Sequence, residues 1–312
     1  MIVPNLEIRT FELPRQLEAL APFAADWDRL VEEDGGAHPS SSFAWTRSFF
    51  EHLVPGGTQA TCLVALRGGL VVGVLPLLIE DHPLFGGFAR TLRMPNHDHF
   101  PSGDAVLAGE GQGEILRALV NHAIAHQRGA ICVGFSHVTS RSITHRIAPA
   151  TFPLPRLTVE SDGFGSFVPI RGSTLAEFRE RLSKNFSSNL RKFHNKLKKS
   201  ENRVFEFQIG EAADPSFLPT FMDLEGSGWK GKESTAIVSS PQLRAFYQDF
   251  VARLHARGWL QWNLLRVGDR VIAAHLGIRV GRRLFLWKVA YDEAFAAYAP
   301  GNLLFETLVE NE

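Results

Sequence analysis

The chain has 312 residues, 45% hydrophobic and 21% charged, which is the profile of a folded globular protein with one large or two ordinary domains. Basic and acidic residues balance at 33 each, so no global field draws it to nucleic acid or a lipid surface, and any such attraction must be local. Cys62 and Cys132 are the only cysteines, which excludes a disulfide framework and fits a reducing compartment.

Met1 to Thr10 lacks a basic start followed by an apolar run, so it does not read as a secretory signal. No apolar run reaches the roughly 18 to 20 residues needed to span a bilayer. Leu70 to Ile79 is the nearest candidate, and a strand explains it better. A cytoplasmic protein is expected, with no membrane span and no DNA partner.

In chain order, Phe43 to Leu53 predicts an amphipathic helix. Cys62 to Ile79 predicts a β-hairpin turning at Gly68-Gly69. Gln112 to Gln127 predicts a helix, and Ala130 to Phe135 a buried strand. Pro149 to Pro155 reads as a proline-punctuated connection. Leu157 to Val159 and Phe167 to Ile170 read as strand pieces. Thr174 to about Ser200 reads as one long basic helix. Pro241 to Leu254 predicts a further helix, with Leu243, Phe246, Phe250 and Leu254 on one face. Trp262 to Arg279 predicts a second hairpin, turning at Gly268-Asp269.

The two hairpins align when Gly68 is set over Gly268. Val71/Val271, Val72/Ile272 and Gly73/Ala273 then fall in register, and a helix precedes each hairpin. This reads as a duplicated module of α/β class. The boundary falls between about 160 and 173, giving modules 1–168 and 169–312.

Leu182, Phe186, Leu190, Phe193 and Leu197 form the apolar stripe of the basic helix. Lys184, Arg191, Lys192, Lys196, Lys198 and Lys199 lie off it. They form either a solvated face or a site for cofactor phosphates, an acidic substrate or RNA. At the far end, Leu284 to Ala290 reads as a strand, Ala294 to Asn302 as a loop carrying Pro300-Gly301, and Leu303 onward as a helix. A strand that feeds a glycine-bearing loop into a helix N-terminus is a device for holding phosphate.

Three segments in this order, Leu182-Ser-Lys-Asn-Phe-Ser-Ser-Asn-Leu-Arg-Lys, Glu225-Gly-Ser-Gly-Trp-Lys-Gly and Lys288-Val-Ala-Tyr-Asp-Glu with Ala299-Pro-Gly, resemble the CelD/FemAB-like branch of the GNAT acyltransferase superfamily. The resemblance covers nearly the whole chain and is strongest from 174 onward. It implies two tandem GNAT-like modules, each a mixed, bent sheet flanked by helices, with the cofactor site in the second. It implies acetyl-CoA or another acyl-CoA as donor and an amine on a small molecule, glycan or peptide as acceptor. The pantetheine arm is expected along Lys288, Val289 and Ala290, and the pyrophosphate at Tyr298, Pro300, Gly301 and Asn302. The family's phosphate loop carries two glycine-type positions where this chain has Gly301 alone. A GNAT module also continues with a further strand after this helix, so the second module is expected to lack its last strand.

Acyl transfer to an amine needs a neutral amine, a polarised thioester carbonyl and a proton for the thiolate. Asp292 or Glu293, at the strand's end, and His275, within the second hairpin, are candidate bases, and Tyr291 is a candidate orienting group. Trp229 and Lys230 follow Gly226-Ser-Gly and read as acceptor contacts, as do His97 and His99 in a polar loop of the first module. No metal is assigned to that loop. An alternative is a FemAB-type aminoacyl transferase using aminoacyl-tRNA, the only reading under which RNA is a partner. Another is a GNAT-like protein that binds a ligand or partner without catalysis.

Overall fold

The computed structural model describes residues 6–34, 38–99, 103–152, 156–160, 167–169, 175–198 and 203–311. The chain forms two compact units, 1–165 and 166–312.

The first unit contains β1 (Leu6–Leu13), α1 (Ala24–Glu33), α2 (Phe43–His52), β2 (Gln59–Arg67), β3 (Leu70–His82), β4 (Gly86–Arg93), β5 (Val106–Leu107), α3 (Gln112–His126), β6 (Ala130–Gly134) and α4 (Ile143–Thr151). Its sheet runs β1-β2-β3-β4-β6, with β5 paired to β3. Neighbours are antiparallel except β4 and β6, which are parallel, so the sheet is mixed. Leu63, Leu75, Leu77 and Leu92 on the sheet pack against Ile115, Leu116 and Leu119 of α3.

The second unit contains α5 (Leu175–Arg181), α6 (Lys184–Lys198), β7 (Arg203–Ile209), α7 (Leu218–Ser227), α8 (Trp229–Lys232), α9 (Pro241–Ala256), β8 (Leu260–Val267), β9 (Arg270–Val280), β10 (Arg283–Tyr291) and α10 (Pro300–Asn311). Its sheet runs β10-β9-β8-β7, all antiparallel. One face packs Leu265, Ile272 and Ala273 against Leu190 and Leu197 of α6 and Leu303 and Leu304 of α10. On α9, Phe246, Tyr247 and Phe250 are fully buried. The Phe250 ring lies 5.7 Å from Trp287 of β10, and Phe221 of α7 lies 5.5 Å from Trp262. Ser240 starts α9 by accepting the Leu243 N–H at 3.2 Å, and Pro241 follows at the first helical position, where its missing N–H costs nothing.

The repeat extends into backbone detail. Both hairpins close through two residues, Gly68-Gly69 and Gly268-Asp269, with Gly68 at φ +59° and Gly268 at φ +57°, a region open to glycine. In each, the register breaks one step above the turn. Val72 is the extra residue between the pairs Leu66↔Val71 and Ala65↔Gly73, and Ile272 between Arg266↔Val271 and Leu265↔Ala273. A bulge recurring at equivalent positions is a built feature, not an accident of packing.

Four expectations need correction. The basic tract is two helices: Ser183 accepts the Phe186 N–H at 3.2 Å and starts α6 afresh after α5. Its ends, residues 174 and 199–200, lie outside the described residues, as does residue 170 of the expected strand piece. The 149–155 segment is not simply a connection, because α4 runs through Pro149 to Thr151, capped by Ser142, which accepts the His145 N–H at 3.1 Å. Residues 157–160 and 167–169 form no strand. Finally, β6 is only half-buried, with Ile131 exposed.

Candidate active site

β10 is an outer strand of its sheet and, among the described residues, pairs with β9 alone. Its register breaks between Leu286 and Lys288. Successive strand residues ordinarily point to opposite faces. Here Trp287 and Lys288 both reach α9: the Trp287 ring meets Phe250, and Lys288 Nζ stands 6.0 Å from the centre of the Tyr247 ring. Burial, partly opposed by the Glu225 charge, pushes the Lys288 ammonium down to about 8, and the like charge of Lys230 adds to the shift. Burial also pushes the Tyr247 phenol well above its usual range. Val289 is exposed and Ala290 buried.

The Glu225-Gly-Ser-Gly-Trp-Lys-Gly segment folds tightly beside this strand. A Cβ on Gly231 would collide with the Gly226 carbonyl, so the chain turns back on itself only with glycine there. The turn returns Lys230 to the buried Glu225 carboxylate at 3.1 Å. The other Glu225 oxygen accepts the Ile237 N–H at 2.9 Å, and Lys230 also donates to the Val289 carbonyl at 2.8 Å. Lys230 therefore serves the chain's own carboxylate and the outer strand. Trp229 beside it is 48% exposed.

Beyond β10, the Asp292 carboxylate is engaged on both oxygens. One accepts the Ala294 N–H at 3.0 Å, and the other pairs with Arg270, whose guanidinium lies 5.3 Å over the Phe295 ring. These contacts are those of a turn cap and ion pair, not of a free base. Glu293 pairs with Lys232 at 2.6 Å. A cavity of about 520 Å³ opens here, lined by Thr220, Asp223, Ser227, Arg270, Asp292 and Glu293 among others. Tyr291 and Tyr298 pack against the α6–α10 cluster.

Ala299 adopts the left-handed conformation at φ +46° and ends the turn before α10. Pro300 opens the helix and offers no N–H. The Asn302 and Leu303 N–H groups bond to the Ala299 carbonyl at 3.0 and 3.2 Å, so Asn302 is a helical residue and not the cap. Gly301 stands between Pro300 and Asn302, and a Cβ there would meet nothing within 4 Å. A ligand can reach the helix N-terminus at that point, although Pro300 has no N–H and those of Asn302 and Leu303 are engaged, which leaves fewer free amides than the four of an ordinary helix start.

His275 is buried in β9 between Asn263 of β8 and Val289 of β10. Burial pushes its pKa down to about 4, so the imidazole is neutral, and its Nδ1 has no partner among the described residues. Gln261 donates to the neighbouring Asn263 side chain at 2.8 Å.

Residues 184–311 match the family model for an acetyltransferase (GNAT) domain. A crystal structure of FemX aligns with 92% of this chain and 84% of its own at a TM-score of 0.58 and 13% identity. A conserved protein of unknown function from Bacteroides thetaiotaomicron VPI-5482 aligns over 91% and 84%, at a TM-score of 0.52 and 15% identity. No curated protein sequence matches the chain. These likenesses establish the fold, GNAT-like and in two modules.

The matched GNAT segment contains every feature described so far in this site. His97 and His99 belong to the first unit, where their rings meet edge-on at 5.4 Å and the His99 N–H donates to His97 Nδ1 at 3.1 Å. Asp104, near them in sequence, is buried, and that burial pushes its carboxyl up to about 6. No helix among the described residues is long and apolar enough to cross a membrane. Sequence reasoning passed over Glu225 and Tyr247. An acid five residues before Lys230 across two glycines was the available signal for Glu225, whereas Tyr247 is hidden in an ordinary amphipathic helix.

Proposed function

We propose that the chain is an N-acyltransferase that moves an acyl group from acetyl-CoA or another acyl-CoA to an amine. The observation that carries this reading is the run from a bulged outer strand to the open Gly301 at the start of α10, all within the GNAT-matched segment. Backbone of β10 would pair with the carrier arm, except at the Val289 carbonyl, which Lys230 occupies. The Gly301 amide and the α10 dipole would face the diphosphate. The carrier supplies an activated carbonyl when bound, and the acceptor amine would enter the cavity beside Asp223, an exposed carboxylate on α7.

Thermal shift tests the reading. Coenzyme A at 100 times its Kd adds about 2.7 kcal/mol of stability, a shift that is easily measured. No shift with coenzyme A or acetyl-CoA at millimolar concentration defeats the proposal.

A second reading is aminoacyl transfer from tRNA, favoured by the whole-chain likeness to FemX and by the solvent face of α6. There Lys184, Arg191, Lys192 and Lys196 are all exposed, opposite the buried Leu190 and Leu197. Stabilisation by aminoacyl-tRNA without any response to coenzyme A selects it.

A further inference from the structure

The bulge in β10 has placed an ammonium where, among the described residues, it meets an aromatic face and two charges but no hydrogen-bond acceptor. Lys288 is half-buried, and no described residue accepts a hydrogen bond from it. Its neighbours are the face of Tyr247 on α9, the Glu225 carboxylate on α7 and the Lys230 ammonium on α8. Glu225 acts on it through charge and not through a hydrogen bond; the Glu225 oxygens are turned to Lys230 and the Ile237 N–H. An ammonium carries three donors, and in a half-buried site solvent meets them only in part, which is costly. Such a group, on the outer strand of a sheet, is placed to meet an atom that arrives with the substrate.

We propose that Lys288 is a catalytic residue, the proton donor to the sulfur that departs when the acyl group leaves its carrier. The assignment rests on the acyl-CoA reading above.

Lys288 Nζ would lie against the thioester sulfur. As the amine nitrogen bonds to the carbonyl carbon, the carbon–sulfur bond breaks and its electron pair passes to sulfur. A Lys288 N–H bond breaks, and an S–H bond forms with that pair. The surplus proton on the new amide nitrogen returns to the neutral Lys288 amine through water. Amine and thioester thus become amide and thiol, and the lysine ends as it began.

The energetics agree with the placement. A simple thiol ionises near pH 8.5 and an ordinary lysine near 10.4, so an ordinary ammonium would give its proton to a thiolate uphill by about two pH units. Burial brings Lys288 to about 8, which makes the transfer nearly level. At neutral pH the group is still mostly charged and ready to donate.

Competitive labelling of lysines by acetic anhydride reads the site without an acceptor. Saturating coenzyme A is expected to suppress acetylation of Lys288 severalfold while leaving the exposed Lys184 and Lys192 unchanged. Coenzyme A that raises the melting temperature yet leaves Lys288 labelling unaltered overturns the assignment alone. Coenzyme A that gives neither effect overturns the acyl-CoA reading and the assignment with it.

Turnover supplies the second arm, with hydroxylamine as a small neutral acceptor. Lys288→Met is expected to lower kcat with acetyl-CoA by about 100-fold, the scale of one general acid, with little change in coenzyme A affinity. With the acetyl thioester of para-nitrothiophenol, whose thiolate leaves without a proton, native and Lys288→Met rates are expected to converge. An equal loss on both donors, or no loss on either, rules out proton donation. Lys288→Arg keeps the charge but holds its proton too tightly, and is expected to behave as Lys288→Met does.

Discussion

Lys230 and Glu225 form an ion pair at 3.1 Å across the tight Gly226–Gly231 turn, and the same ammonium holds the outer strand through the Val289 carbonyl at 2.8 Å. One contact therefore ties α7, α8 and β10 together. The pair is buried on the Glu225 side, so removing a partner strands a charge, which is costlier than the pair's net worth. Glu225→Ala also strips the Ile237 N–H of its acceptor. It is expected to cost about 3 kcal/mol, read as a lower urea midpoint with an unchanged m-value. Lys230→Met is expected to cost less, because the lysine is partly solvated while the carboxylate can take up a proton.

Gly301 separates a folding role from a binding role. Space around its missing Cβ is empty and its φ is ordinary, so a side chain fits the helix without strain. Gly301→Leu is expected to leave thermal stability unchanged or raised by up to about 1 kcal/mol, since glycine is a poor helical residue. The same side chain would fill the approach to the helix N-terminus. Loss of the coenzyme A thermal shift in a fully folded Gly301→Leu protein is the expected outcome. A retained shift removes this loop from the binding site.

Much of the fold was legible because its signals are local. Gly68-Gly69 and Gly268-Asp269 announce two-residue turns by conformational need alone, and the flanking apolar runs then set the register. The alignment of the two hairpins carried the duplicated module. What failed was local chemistry that imitates something else. Ser183 sits in a polar, helix-permissive run, so nothing in the periodicity shows that it caps a new helix. Pro149 reads as a breaker, although a short helix tolerates it. The ion pair of Asp292 is hidden because Arg270, its partner, lies on the preceding strand and comes near only through the β9–β10 pairing. Lys288 points toward α9 because of a bulge, and a bulge erases the alternation by which a strand is read.

His275 gives an acid signature. Its folded-state pKa is pushed from the ordinary 6.5 down to about 4 by burial. Between those values the unfolded chain binds more protons than the folded one, so stability is lost as pH falls from 6.5 toward 4. His275→Phe fills similar volume and removes the titration. Denaturation midpoints compared at pH 7, 5.5 and 4.5 are expected to fall less steeply for the variant than for the native protein. A neutral imidazole across that range also means that an acid limb in a rate profile near 6.5 belongs to another group. Parallel slopes for the two proteins are the result that contradicts a buried neutral His275.

Lys288 gives the opposite limb. Its folded pKa is about 8 and its ordinary value 10.5, so between them the unfolded chain again binds more protons. Native stability therefore carries a contribution that rises with pH across this interval, while below 8 the folded state bears the cost of a poorly solvated charge. Lys288→Met removes that cost and is expected to be more stable at pH 7 by on the order of 1 kcal/mol, a modest figure because the amine still meets some solvent. The gap is expected to narrow steadily from pH 8 to 10.5. A residue that weakens the fold at working pH, and whose removal costs turnover, is held for what it does to the substrate. A Lys288→Met protein less stable than native at pH 7, or a gap that does not change with pH, shows that the ammonium is well solvated or paired and removes the physical basis for its low pKa.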